Sequence, residues 1–383
     1  MKIVIAPDSF KGSLTSQEVI DIVAQSAHEH FTDVQCVAVP IADGGDGTVD
    51  ALVCATKGRV IRTHARDPLG RMRECIYGEA NGVAVIGMSE ASGLALLTDE
   101  ERNPFETSSH GTGDLIKKVL DDGFTDILVG IGGSATNDCG TGALQALGMR
   151  FIRGDGSQIG RMCGKELINV ARMDASALDP RLQDVKITVM CDVTNPLTGE
   201  HGATYVYGPQ KGGSPAQLER LEAGMIGFGR ILDAFSGREI TTMPGAGAAG
   251  GIGAALHVFA GAELCRGIDS VLSLVRFGEL VRGADIVITG EGRVDAQSAF
   301  GKAIHGVAHC AKAADVPVVV IAGGVGDGAK ALYDLGVSAI VPLPDAPMPL
   351  DECIQNAAEL MKRAADRVFS LIRLGQRIDN HPT

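Results

Sequence analysis

The chain has 383 residues, 51 of them glycine, no tryptophan, and a formal net charge of −13. That length points to two or three domains, and the acidity excludes the non-specific phosphate-backbone attraction on which nucleic-acid binders rely. The nine cysteines are odd in number and never spaced CxxC, which suits a reduced, cytoplasmic protein rather than a disulfide framework.

In chain order, Ile3–Ile5 reads as a strand that breaks at Pro7 and Asp8, too short an apolar run for a secretion signal. A helix should follow, with Thr15 and Glu18 as a capping box and Val19, Ile20, Ile22, Val23 and Ala27 at helical spacing. Cys36–Ile41 reads as the next strand and runs into the polar glycine loop Asp43-Gly44-Gly45-Asp46-Gly47-Thr48, completing a βαβ pattern. After Gly58 the texture changes. Arg59–Ala65, Arg71–Tyr77 and Val83–Met88 are short strands separated by Asp67-Pro68-Leu69-Gly70 and Asn81-Gly82 turns, an antiparallel meander.

A helix bearing Leu115, Ile116, Val119 and Leu120 leads to the segment 126–148, around which the rest can be organised. Ile127–Ile131 lacks alternation and suits a parallel strand covered on both faces. Gly132 and Gly133 end it, and Ser134, Thr136, Asn137 and Asp138 supply capping groups before a helix whose buried face holds Ala143, Leu144, Ala146 and Leu147. A helix start of this kind offers free N–H groups and the positive end of a dipole, hence a place for phosphate; ordinary capping of a βα turn would need the same residues. The strand Val185–Cys191 ends at Asp192 and Asn195, and the loop Gly208–Gly213 precedes a polar-faced helix near 214–235. The uncharged stretch 241–262 is too glycine-rich to span a membrane and reads as a glycine loop leading into a helix.

From about Asp269 helices and strands alternate again: helix 271–281, strand 286–289, helix 299–313, strand 318–321, a short helix 328–335, strand 339–341 and a closing helix 353–372. The expected fold is therefore α/β. A Rossmann-like, doubly wound parallel-sheet domain formed by residues 1–58 plus 265–383 is interrupted by a larger inserted α/β domain, 59–264, with antiparallel elements, and a cleft is expected between them.

Ligands of open parallel sheets collect beyond the carboxyl ends of the strands. Here those ends carry Asp8, Ser9 and Lys11; Asp43 and Asp46; Glu291 and Asp295; Gly132–Asp138; and Asp192 with Asn195. Carboxylates for a metal, with glycine amides and lysines for phosphate, describe a polyphosphate site. No GxxxxGK[ST] loop occurs, and Gly245-x-Gly247-x-x-Gly250 matches the dinucleotide fingerprint only behind Pro244, where close helix packing is the competing explanation. His305 and His309 lie one helical turn apart without the glutamate of an HExxH motif, so a partly buried helix face is the default.

The strings APDSFKGSLTS (6–16), PIADGGDGT (40–48), DPLGR (67–71), ASGL (91–94), GTGDLI (111–116), GIGGSATND (130–138), CDVTNPLTG (191–199), GPQKG (208–212), GAGAAGGIG (245–253) and ITGEGRVDAQSAFGK (288–302) resemble, in order, those of the bacterial glycerate kinase family. The resemblance covers essentially the whole chain and implies ATP-dependent phosphorylation of D-glycerate to 2-phosphoglycerate with Mg2+, in a two-domain fold. Phosphorylation to 3-phosphoglycerate and, on the 245–250 motif alone, an NAD-dependent hydroxy-acid dehydrogenase are the alternatives. Lys11 and Lys211 are expected to meet phosphate or the substrate carboxylate, Gly132, Gly133, Ser134, Thr136 and Asn137 to meet nucleotide phosphate, and Asp43, Asp46 and Glu291 to hold metal. Asp192 is the first choice for the base that accepts the hydroxyl proton, with Asp8 and Asp295 as alternatives. Small molecules are the expected partners, with no nucleic acid and no membrane; a homo-oligomer stays open. Cys139 and Thr141 depart from the family's usual glycine and small residue.

Overall fold

The computed structural model describes residues 1–42, 44–299 and 302–379. Its strands are β1 (Lys2–Ile5), β2 (Gln35–Ala38), β3 (Arg59–Arg66), β4 (Met72–Ala80), β5 (Val83–Gly87), β6 (Asp126–Gly130), β7 (Arg150–Ile152), β8 (Arg172–Asp174), β9 (Lys186–Met190), β10 (Glu263–Cys265), β11 (Ile286–Val294), β12 (Val318–Val325) and β13 (Val337–Pro342). The chain divides into two compact units. One comprises Met1–Asp43, Cys54–Thr56 and Ile268–Thr383; the other comprises Gly44–Val53 and Lys57–Gly267.

The first unit is an all-parallel sheet in the order β13-β12-β11-β1-β2. The strand order reverses between β1 and β11, where Ile3, Val4 and Ile5 pair with Ile286, Val287 and Ile288. Both strands are apolar without alternation because helices cover both faces. The helix Ser16–His30 has its capping box, Thr15 accepting from Glu18 N–H and Glu18 answering to Thr15 N–H, and buries Val19, Ile20, Val23 and Ala27. Against it lies the closing helix, whose Leu360, Met361, Ala364, Val368 and Phe369 belong to the same core.

The second unit is a mixed sheet in the order β10-β9-β6-β5-β4-β3. Only the β3–β4 and β4–β5 pairs are antiparallel; β5 continues parallel to β6, so the third strand of the expected meander belongs to the parallel part of the sheet. One core cluster lies around Tyr77, Ile86, Ile116, Val129 and Val189. Another, around Phe151, Met162, Met225 and Phe228, lies by the small antiparallel pair β7–β8 and the helix Pro215–Ser236.

Several boundaries differ from expectation for local reasons. The helix expected over 271–281 is two short helices, Gly267–Leu274 and Phe277–Val281, because Arg276 takes a left-handed φ of 52° that a continuous helix excludes. The closing helix is likewise two, Leu350–Gln355 and Ala357–Asp379. β11 and β12 run past their apolar cores, so Glu291 pairs with Ala322, and Arg293 with Gly324, inside the ladder. The Gly245–Gly250 motif follows a turn and no strand, and its glycines are packing sites: a Cβ on Gly247 would stand 2.1 Å from Pro196 O, and one on Gly250 2.1 Å from Thr136 O.

In the second unit the loop after β6 lies against the 44–48 loop backbone to backbone. Gly132 N–H donates to Gly44 O at 2.9 Å, and a Cβ on Gly130 would stand 2.6 Å from that carbonyl. Gly130→Ala should therefore destabilise this unit by about 1–3 kcal/mol through overpacking. Gly227→Ala, on the open face of the helix Pro215–Ser236 where an added Cβ meets nothing within 4 Å, should be neutral or stabilising by up to about 1 kcal/mol. Thermal melts of the two variants check this, and equal melting temperatures would contradict it.

Candidate active site

Two groups of sequence-predicted residues are brought together, one in each unit. In the first, β1 and β11 place theirs at the strand-order reversal, the position where open α/β sheets take ligands. Asp8 N–H donates to Gly290 O at 2.9 Å, and Asp8 Oδ1 accepts from Ser9 N–H at 2.6 Å. Lys11 is exposed in the turn that follows. Glu291 accepts a hydrogen bond from Ser298, and Asp295 lies 3.4 Å from Arg293. Burial pushes the Glu291 carboxyl above its usual range, opposed by the Ser298 hydrogen bond and by Lys302. Asp8, Lys11, Glu291 and Asp295 thus share one sheet edge.

The second group surrounds the glycine loop after β6. Asp43 lies outside the described residues. Gly133 has a φ of 69°, and Asp46 Oδ1 stands 2.8 Å from where a Cβ would be built on it, so glycine is required there both by conformation and by the carboxylate. The loop is held by Leu94 N–H on Gly133 O at 2.8 Å and Ala135 N–H on Ser92 O at 2.9 Å. Those bonds leave the amides of Gly133, which is exposed, and Ser134, which is half-buried, without a protein acceptor among the described residues. Gly132 differs, since its amide is committed to Gly44 O.

The rest of that motif turns inward. Thr136, Asn137 and Asp138 are fully buried. Asn137 Nδ2 donates to Thr204 Oγ1 at 3.1 Å, while Thr136 Oγ1 and Asn137 Oδ1 have no partner among the described residues. The amides at the start of the helix Thr141–Ala146, which the sequence suggests for phosphate, are occupied from within: Gly140 and Gly142 N–H both donate to the Asp138 carboxylate at 3.2 Å, and Ala143 N–H donates to Ser109 Oγ at 3.0 Å. Lys211 is also interior, its Nζ donating to Thr136 O at 2.7 Å, and burial depresses its pKa to about 7 against the opposing pull of Asp138. Cys139 has a φ of 51°, a left-handed conformation that glycine adopts more readily than any residue with a side chain.

Asp192 is exposed just beyond β9, with Oδ1 accepting from Gly267 N–H at 2.7 Å, so one oxygen is engaged with the start of the helix Gly267–Leu274. Asn195 is tied to His201 O at 2.8 Å and to the Tyr207 hydroxyl at 2.6 Å.

Glu90, in the short helix Ser89–Ser92 after β5, is a residue that sequence reasoning missed; its only signal was its place beside the ASGL string. Burial, then the Asp50 and Asp46 carboxylates, push its pKa upward against Arg73. Asp46 and Asp50 are thus near enough to Glu90 to act on it electrostatically. Among the described residues, no three His, Cys, Asp or Glu side chains form a ready-made metal cage.

A sequence profile of the glycerate kinase family matches residues 3–373. A glycerate kinase of Halalkalibacterium halodurans is 45% identical over 368 residues, 96% of this chain and 97% of the relative. The glycerate 2-kinase of Escherichia coli K12 is 42% identical over 98% of this chain and 99% of its own. A crystallised chain from Salmonella typhimurium LT2, assigned there as a glycerate kinase 2, superposes with a TM-score of 0.87 at 41% identity, covering 98% of this chain and 99% of that one. Fold and loops define an α/β enzyme. The chain belongs to the glycerate kinase family. None of the nine cysteines forms a disulfide, and no helix among the described residues is long and apolar enough to cross a membrane.

Because the folded-state pKa of Glu90 lies above its unfolded value, the folded protein loses stability as pH rises through the range between them. Glu90→Gln should therefore raise the melting temperature at pH 7, and the gain should vanish near pH 4. Melts at the two pH values check the sign; an equal effect at both would contradict it.

Proposed function

We propose that the chain transfers the γ-phosphoryl group of ATP directly to a hydroxyl of D-glycerate, releasing ADP and 2-phosphoglycerate. Family membership and the Escherichia coli glycerate 2-kinase support the reaction and its product. The observation that carries the site is the pair of unaccepted amides at Gly133 and Ser134 beside the exposed Asp46 carboxylate. Two adjacent N–H groups on a left-handed glycine form a concave donor pair for a phosphate oxygen. Asp46, with Asp43 and Asp50, would hold Mg2+, which when bound neutralises phosphate charge; few protein ligands are needed, because the ion keeps waters and takes other oxygens from the nucleotide.

On this reading Lys11 meets phosphate or the glycerate carboxylate, and Asp192 accepts the hydroxyl proton, with Asp8 and Asp295 as the alternatives. Glu291 remains a candidate metal ligand whose carboxylate Ser298 orients. Thr136, Asn137 and Lys211 support the loop from within and do not touch the nucleotide. We place the enzyme in the cytoplasm on its cysteine pattern.

The test is product analysis. ADP should form only when D-glycerate and a divalent metal are both present, and enolase alone should convert the product onward. A product that needs a mutase first would be 3-phosphoglycerate, and no ADP under any of these conditions would remove the assignment. Lys11→Met should lower kcat/KM about ten- to a hundredfold, the value of a charge-assisted hydrogen bond of roughly 1.5–3 kcal/mol, with an unchanged melting temperature. Wild-type kinetics in that variant would remove Lys11 from the site.

A further inference from the structure

Four charged residues are buried among the described residues, all in the second unit: Asp67, Asp138, Lys211 and Glu222. Asp138 is the most heavily hydrogen-bonded. Its Oδ2 accepts from Ser109 N–H at 2.8 Å, from the Ser109 hydroxyl at 2.9 Å and from Gly142 N–H at 3.2 Å, while Oδ1 accepts from Gly140 N–H at 3.2 Å. Burial pushes its pKa upward, and the hydrogen bonds from Ser109, Gly142 and Gly140 oppose that shift by favouring the carboxylate. The starts of two helices, His110–Asp121 and Thr141–Ala146, thus meet on one buried carboxyl group. Ser109 joins them a second time, since its hydroxyl donates to Asp138 and accepts from Ala143 N–H at 3.0 Å.

Lys211 holds the same segment by its backbone. It sits at the end of the short turn Pro209–Lys211 and passes its ammonium to Thr136 O, two residues before Asp138. Asp138 acts on Lys211 electrostatically, opposing the effect of its burial. The segment 136–138 is therefore gripped from behind, by the Lys211 Nζ on its backbone and by the donors gathered on the Asp138 side chain. Gly133 and Ser134 lie immediately upstream, with no helix or strand between to absorb a displacement.

We propose that Asp138 and Lys211 are positioning residues for the nucleotide, fixing the 132–138 loop from its interior side so that the Gly133 and Ser134 amides are preorganised for phosphate. This rests on the reading that those amides meet ATP. Preorganised donors bind without the cost of ordering a loop, so loosening their anchor weakens ATP binding selectively and leaves the glycerate contacts alone. Lys211 acts through Thr136 O and not through contact with phosphate, and the two side chains act through one element, so their kinetic effects are coupled.

The test is steady-state kinetics on full-length Lys211→Met, Asp138→Asn and the double variant, with the KM for ATP and for glycerate measured separately. Each single variant should raise the ATP KM tenfold or more while the glycerate KM stays within about twofold. The double variant should lose no more kcat/KM for ATP than the worse single variant. A purely structural role would lower kcat through loss of folded enzyme with both KM values unchanged, and multiplicative losses in the double variant would show two independent contributions; either result overturns the proposal. If a single variant does not fold, Ser109→Ala decides, since it removes only the hydroxyl joining Asp138 to Ala143 N–H: an ATP KM raised about threefold supports the proposal, and a wild-type ATP KM overturns it. Absence of glycerate-dependent ADP release from the wild-type enzyme would instead sink the functional reading itself.

Discussion

Two polypeptide backbones touch where Gly44 and Gly45 meet Gly130 and Gly132, and no side chain could stand between them. A Cβ on Gly132 would lie 2.6 Å from Gly45 Cα, and one on Gly130 would lie 2.6 Å from Gly44 O. This contact makes Gly44–Val53 part of the second unit, although the strand before it belongs to the first. It also sets Asp46 over Gly133, the juxtaposition that makes a phosphate-and-metal site chemically sensible. The glycines are there because two loops must approach at backbone distance, which is a stronger reason than turn formation.

A second constraint works from inside. Two buried carboxylates of the second unit each gather several backbone N–H groups, Asp67 from Leu69 and Arg71 and Asp138 from Ser109, Gly140 and Gly142, whereas Glu222 accepts one, from Gly199, and its Oε2 has no partner among the described residues. At Asp67 and Asp138 those donors replace the hydration lost on burial. Each of the two then fixes its loop more firmly than a surface cap could. The 130–138 string thus holds its loop from within, with Thr136, Asn137 and Asp138 buried behind the exposed Gly133.

The sequence was legible where periodicity governs. The apolar strands, the Thr15–Glu18 capping box and the two sheets followed from residue order, because burial on both faces leaves a continuous apolar run and a capped helix needs particular side chains. It was less legible where partners are distant. Thr136, Asn137 and Asp138 read equally as an outward cap or an inward one, and what decides is Ser109, far upstream, together with Lys211, far downstream. For the same reason nothing in the residue order announces that Lys211 Nζ donates to Thr136 O. The break at Arg276 was hidden because nothing in an apolar, helix-compatible run announces a left-handed residue.

The central claim is that the Gly133 and Ser134 amides receive phosphate while the amides of Gly140 and Gly142 are already occupied by Asp138. Backbone amide chemical shifts on the full-length, isotopically labelled protein, recorded before and after addition of a non-hydrolysable ATP analogue with Mg2+, test it most directly. Large downfield shifts at Gly133 and Ser134, with Gly140 and Gly142 nearly unmoved, are the predicted result. Shifts at Gly140 and Gly142 with none at Gly133 and Ser134 would contradict it and return the phosphate to the helix start.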